Sequence, residues 1–102
     1  MTNIALQDQF HEKKFPRGLK MVNLQLYFAA LEASRENFQE AARILEQIIP
    51  IQERLLAPGS PQVGYSLVGY SRVLRGLHQK TKAKKALNRA KLILKVTLND
   101  VK

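Results

Sequence analysis

From Leu19 onward the apolar residues of this chain fall in a rhythm of three and four. Leu19, Val22, Leu26, Ala29, Ala30 and Ala33 follow the i, i+3, i+4, i+7 spacing of an amphipathic helix, which predicts a helix from Leu19 to about Ser34. Arg35-Glu36-Asn37 is a short polar turn. A second helix is predicted from Phe38, with Ala41, Ala42, Leu45, Ile48 and Ile49, then Leu55 and Leu56, along one broad face. Pro50 falls inside it, where it removes one backbone hydrogen bond and is expected to bend the axis. Ala57-Pro58-Gly59-Ser60-Pro61 ends the helix, because two prolines and a glycine cannot continue it. The same residues start the next helix: Ser60 is a good N-cap and Pro61 suits the first helical position. This third helix runs to about Leu77 with Val63, Leu67, Tyr70, Val73 and Leu74 inward. Gly64, Gly69 and Gly76 lower its propensity by about 1 kcal/mol each relative to alanine, so all three are expected to serve close packing. His78-Gln79 turns the chain, and a fourth helix, Lys80 to about Asn99, buries Ala83, Ala86, Leu87, Ala90, Ile93, Leu94 and Leu98. No stretch alternates with period two, so no strand is predicted.

The chain also resembles itself at a spacing of 42 residues: Ala41, Leu45, Ile48 and Ile51 recur as Ala83, Leu87, Ala90 and Ile93, and Phe28-Ala29 as Tyr70-Ser71. Fixed-period similarity marks a repeat array, which moves the search for function from an active site to a surface. Each repeat is a pair of antiparallel helices, repeat one over 19–57 and repeat two over 61–99. Small residues let the backbones approach, while Phe28, Tyr70, Leu45 and Leu87 fill the space between. Residues 1–18 form a loosely attached arm, since Phe15-Pro16-Arg17-Gly18 breaks any helix carrying Ile4, Leu6 and Phe10.

Composition narrows the classes. At 102 residues the chain makes one domain, and 45% apolar with 25% charged residues are ordinary globular values. The absence of cysteine excludes disulfides and thiolate metal sites. No apolar run reaches the roughly 18 residues that span a bilayer, and the first residues lack a signal-peptide core, so the expectation is a cytoplasmic or nuclear protein. The net charge of +9 is unevenly placed. Residues 1–63 carry seven Lys/Arg against seven Asp/Glu, whereas residues 64–102 carry ten against the single Asp100. The whole excess belongs to the second repeat, which is a statement about partners rather than fold.

The small residues resemble those of the tetratricopeptide repeat (TPR) family, whose period of about 34 residues has small side chains near its eighth, twentieth and twenty-seventh positions. The counterparts are Ala29, Ala41 and Ile48, then Ser71, Ala83 and Ala90. The longer period, the extended second helix with Ile51-Gln52-Glu53-Arg54-Leu55-Leu56, and the junction with Pro61 and Val63 resemble the kinesin-light-chain subtype. Pro50, the Pro58-to-Val63 loop and the basic stretch Gly76 to Ala90 are also similar to the C-terminal TPR-like domain of SET-and-MYND-domain methyltransferases. The resemblance covers roughly residues 22–98. Glu32 and Lys80 stand where the family usually has aromatics, and Ser60 where the kinesin-light-chain loop has histidine. The chain is too short for a SET domain and lacks the cysteines of a MYND domain, so only a scaffold role carries over.

What the resemblance implies is an all-α pair of TPR-like hairpins that recognises a peptide or protein, itself acidic, on a concave face lined by the first helix of each repeat. That face would comprise Asn23, Leu26, Tyr27 and Ala30 with Tyr65, Val68, Gly69, Arg72 and Arg75. Tyrosines offer rigid area and arginines pair carboxylates bidentately. The same residues read without the family are interhelical packing and solvated charge. The chaperone type of TPR has a Lys and an Asn where Leu26 and Ala30 stand, which argues against that variety.

The other candidate surface is basic. On a helical wheel Lys82, Lys85 and Arg89 flank one side of the fourth helix's apolar stripe, and Lys84, Lys91 and Lys95 the other, with Lys80 at its start. Such cations are commonly just solvated; as a functional surface they suit nucleic acid, the alternative partner class. A membrane surface is disfavoured because the apolar face is needed for the core. Catalysis finds little support: His11 and His78 are far apart, Ser60, Ser66 and Ser71 have no activating partner, and Gly64-x4-Gly69 lacks the Lys-Ser/Thr of a phosphate loop. Glu36, Glu40 and Arg43 read as a surface ion-pair network. No metal or cofactor is expected. Two repeats leave an apolar flank uncovered, expected on the last helix at Ile93, Leu94, Val96 and Leu98, and a homo-dimer, a larger assembly or the arm would cover it.

Overall fold

A computed structural model of the chain describes residues 18–101, with side chains as far as Lys95. The expected arm, apart from Gly18, lies outside the described residues, as do His11 and the side chains of Val96 and Leu98. Within the described residues there are four helices and no strand: α1 (Leu19–Ser34), α2 (Phe38–Leu56), α3 (Pro61–Gly76) and α4 (Lys80–Val101). Each packs on the next, most extensively α3 on α4 and α1 on α2, and α3 rests on α2 to join the two hairpins. Short turns between helices of this kind enforce antiparallel neighbours. Helix α2 runs unbroken through Pro50.

The 42-residue spacing is written into the backbone. α3 starts and ends 42 residues after α1, and α4 starts 42 residues after α2. The turns repeat bond for bond. In the first, Glu36 N–H donates to Ala33 C=O and Asn37 N–H to Glu32 C=O; in the second, His78 N–H donates to Arg75 C=O and Gln79 N–H to Leu74 C=O. Glu36 and His78 both take the left-handed conformation, with φ of 64° and 62°. This is the Schellman closure of a helix C-terminus, made here without the usual glycine.

The core forms where the two hairpins meet. Val22 and Ala29 of α1, Ala41, Ala42, Ile44, Leu45, Ile48 and Ile49 of α2, Val63, Leu67 and Val73 of α3, and Ala90 of α4 are buried in one cluster. Leu74, Ala83 and Ala86 form a smaller one inside the second hairpin. Tyr70, Leu87, Ile93 and Leu94, expected inside, are half-buried, and Ala30 is exposed. Gln52, one turn beyond Ile48 and Ile49, is buried among these apolar residues with its Oε1 unpartnered.

Two expectations are corrected. Of the three α3 glycines, only two serve packing: a Cβ at Gly64 would meet Leu94 and Ile93, and one at Gly76 would meet the Phe38 ring, but a Cβ at Gly69 would meet nothing within 4 Å. Gly69 faces an open cleft between α1 and α3. Among the described side chains, the exposed apolar residues also lie mostly at the other end of the molecule from the flank expected on α4, of which Val96 and Leu98 are outside the described side chains. Ile93 packs on the core and Leu94 lies over Gly64, leaving Leu92 exposed on α4, whereas α1 exposes Met21, Leu24, Phe28 and Leu31.

Candidate partner-binding cleft

Because α1 and α3 are each the first helix of a hairpin and touch only lightly, an open cleft of about 560 Å³ runs between them. Its α1 wall is Leu26, Ala29, Ala30, Ala33 and Ser34; its α3 wall is Tyr65, Ser66, Gly69, Arg72 and Val73; Phe38 and Leu45 of α2 form the floor. The small residues recur every three or four positions, so they line one face of each helix and keep the cleft open. Tyr65 stands exposed at one end and Arg72 is exposed on the rim. Arg72 has no acidic partner among the described residues.

Of the residues expected to form this face, Leu26, Ala30, Tyr65, Gly69 and Arg72 line the cleft. The others do not. Asn23 is exposed on the preceding turn of α1, and Tyr27 is exposed on that helix outside the cleft. Val68 is half-buried against the core, and Arg75 is exposed one turn past the lining. The difference has a simple origin: a helix at 100° per residue gives the cleft only one narrow face, and Tyr27 and Val68 lie roughly a quarter-turn or more from it. Ala29, Ala33, Ser34, Ser66 and Val73, and the floor residues Phe38 and Leu45, are additions to the expected face; the i, i+3 relation of Ser66 to Gly69 was an available signal.

The basic residues lie on the surface, and part of the set is paired. Lys80, Lys82, Lys84, Lys85, Arg89, Lys91 and Lys95 are all exposed. Two of them are engaged in a ladder to α2: Lys82 Nζ lies 3.7 Å from Glu46 Oε2, and Arg89 pairs with Glu53. Glu46 and Glu53 are seven apart, as are Lys82 and Arg89, so the second helices of the two hairpins run in the same direction. The ladder has a spacing of 36 residues, not the repeat's 42, and so escaped a search for repeats. Tyr70 Oη also donates to Glu46 Oε2 at 2.7 Å. Burial of the phenol, with this bond to a carboxylate, pushes the Tyr70 pKa up to about 12.

Elsewhere the charges are paired locally. Arg43 donates Nε to Glu40 Oε2 at 2.9 Å and caps the other oxygen with Nη2, holding the Glu40 carboxyl below its ordinary range and the guanidinium above its own. Glu36 takes no part in that pair. His78 is exposed in its turn, and among the described residues no three His, Cys, Asp or Glu gather as metal ligands. No described helix is long and apolar enough to cross a membrane.

The class this architecture defines is an all-α array of helical hairpins with a cleft between its leading helices. Compared with protein-family profiles, curated proteins and solved structures, the chain matches none.

Proposed function

We propose that the chain is a non-enzymatic interaction module of the TPR-like kind that holds a peptide segment of a partner protein in the cleft between α1 and α3. The observation that carries this reading is an apolar cleft with a cation at its rim, Arg72, that has no acidic partner among the described residues. Leu26, Ala29, Ala33, Phe38 and Leu45 would bury the apolar side chains of the segment, and Arg72 would pair with a carboxylate on it. Tyr65 supplies rigid area at the opposite end. The resemblance to TPR proteins points to the first helices of the two hairpins as well, and Leu26, Ala30, Tyr65, Gly69 and Arg72 are common to both readings.

The test uses a library of displayed 12-residue peptides selected on the immobilised chain. Enriched peptides are expected to combine apolar residues with Asp or Glu, and Arg72→Glu is expected to weaken them by about tenfold or more. Absence of enrichment, or peptides indifferent to Arg72→Glu and to Tyr65→Ala, would sink the reading.

A second reading has its own observation: Lys80, Lys84, Lys85, Lys91 and Lys95 are exposed and have no ion pair among the described residues. These lysines suit nucleic-acid phosphates. RNA or DNA titrated at two salt concentrations separates the readings, because counterion release makes phosphate binding fall steeply with salt, whereas an apolar cleft with one charge contact responds mildly.

A further inference from the structure

Helix α1 is apolar on two sides. Val22 and Ala29 are buried against α2, yet Met21, Leu24, Phe28 and Leu31 remain 58%, 47%, 44% and 42% exposed on the opposite face. Isolated exposed apolar residues are ordinary, but four on one stripe are not. Their spacing is three, four, three, which is the a/d seam by which one helix packs against another. A lipid surface or a disordered peptide would not require that register.

We propose that this stripe pairs with the same stripe of a second copy, the two α1 helices running antiparallel about a two-fold axis. The spacing reads the same in both directions. An axis level with Leu26 sets Met21 against the partner subunit's Leu31 and Leu24 against the partner subunit's Phe28, so all four residues of each copy are covered in one isologous contact. Tyr27, 66% exposed beside the stripe, then meets the partner subunit's Tyr27 across the axis, which accounts for its position outside the cleft.

Charge favours the same arrangement. Residues 64–102 carry the whole +9, so two copies repel each other wherever these surfaces approach. Residues 18–56 hold four Lys/Arg against five Asp/Glu, and α1 itself only Lys20 and Glu32. The neutral hairpin is thus the side on which two such cations can meet. The contact uses none of the cleft's lining residues, so it stands or falls separately from the peptide reading. A pair of helices each about 24 Å long buries less than the roughly 800 Å² per partner of a standard interface, which sets the expected Kd in the micromolar range.

Sedimentation equilibrium of the full chain up to about 200 µM is the first test, with a monomer–dimer equilibrium expected. Leu24→Glu/Phe28→Glu is expected to raise the Kd at least tenfold while leaving the far-UV circular dichroism unchanged, since both side chains lie outside the core. Cysteine cross-linking provides a readout that does not depend on that variant folding. The chain has no cysteine of its own, so Tyr27→Cys, beside the axis, should oxidise readily to a covalent dimer, and Lys20→Cys, near the end of the helix, should not. A chain that stays monomeric throughout leaves the stripe to residues 1–17 or another protein and overturns the proposal. So does a dimer unaffected by the double substitution, or equal cross-linking at Tyr27→Cys and Lys20→Cys.

Discussion

Replacing the three α3 glycines one at a time by alanine should have effects of different sign, although all three sit in the same helix. Alanine in a helix interior gains about 1 kcal/mol over glycine, and that gain is common to Gly64 and Gly69 and smaller at Gly76, the last residue of α3. What differs is the space for a methyl group. At Gly69 a Cβ meets nothing within 4 Å, so Gly69→Ala keeps the full gain and should raise the melting temperature by about 4–8 °C for a domain of this size. At Gly76 the methyl would lie 2.6 Å from Phe38 Cδ2 and 2.7 Å from Cε2 and Cγ, against the face of a rigid ring wedged between helices. Overpacking of that kind costs about 1–3 kcal/mol, which outweighs the propensity and should lower the melting temperature. Gly64→Ala falls between: the methyl would lie 2.9 Å from Leu94 Cδ2 and Cγ and 3.2 Å from Ile93 Cγ2, and Leu94 is half-buried and can swing aside. Thermal and urea unfolding followed at 222 nm rank the three. Adding Phe38→Leu to Gly76→Ala should recover part of the loss, because the clash is with the ring itself. Equal stability of Gly69→Ala and Gly76→Ala, or a destabilised Gly69→Ala, would refute the reasoning.

The repeated turns give a second prediction: Glu36→Gly and His78→Gly should each stabilise by about 0.5–1 kcal/mol by relieving the left-handed backbone, with additive effects in the double variant, measured by urea unfolding. A third concerns alkaline pH. The Tyr70 pKa, about 12 in the fold, lies above its ordinary value of 10.0, so the fold favours the neutral phenol. Its contribution is therefore fully present below pH 10 and lost as pH rises towards 12. The urea midpoint of the wild type should fall more steeply than that of Tyr70→Phe across this window, and parallel curves would remove Tyr70 from the account.

How much of this was legible depends on which residues carry the feature. The four helices follow from apolar spacing and from Pro58, Gly59 and Pro61, signals that act within one turn and need no tertiary context. The main core positions on α2, from Ala41 to Ile49, were equally readable, because a helix packed on both sides has a wide apolar face. α1 was harder for the opposite reason. Apolar residues occur nearly all round it, so a periodicity that picked out Val22 and Ala29 gave no sign that Met21, Leu24, Phe28 and Leu31 form a second, exposed stripe. The turns hid their geometry, since Glu36 and His78 lack the glycine that normally announces a left-handed residue. The ladder from α4 to α2 depends on how two non-adjacent helices align, which no local pattern records.

Comparison of equivalent positions in the two repeats sharpens what the cleft is built to hold. Forty-two residues separate Leu26 from Val68, Ala30 from Arg72, Asn23 from Tyr65 and Tyr27 from Gly69. The packing positions agree between copies, whereas these pairs diverge in size and polarity, and only in the pair Ala30 and Arg72 do both residues line the cleft. The two walls are unlike: the α1 wall is smooth and apolar, with Leu26, Ala29, Ala30 and Ala33, while the α3 wall carries the phenol of Tyr65 and the guanidinium of Arg72. A segment lying between them meets apolar surface on one side and hydrogen-bond donors on the other. The chemistry that satisfies both is an amphipathic segment with apolar residues toward α1 and a carboxylate toward α3. Ala30→Arg would place a cation on the smooth wall and should weaken such a segment even though the total positive charge of the cleft rises.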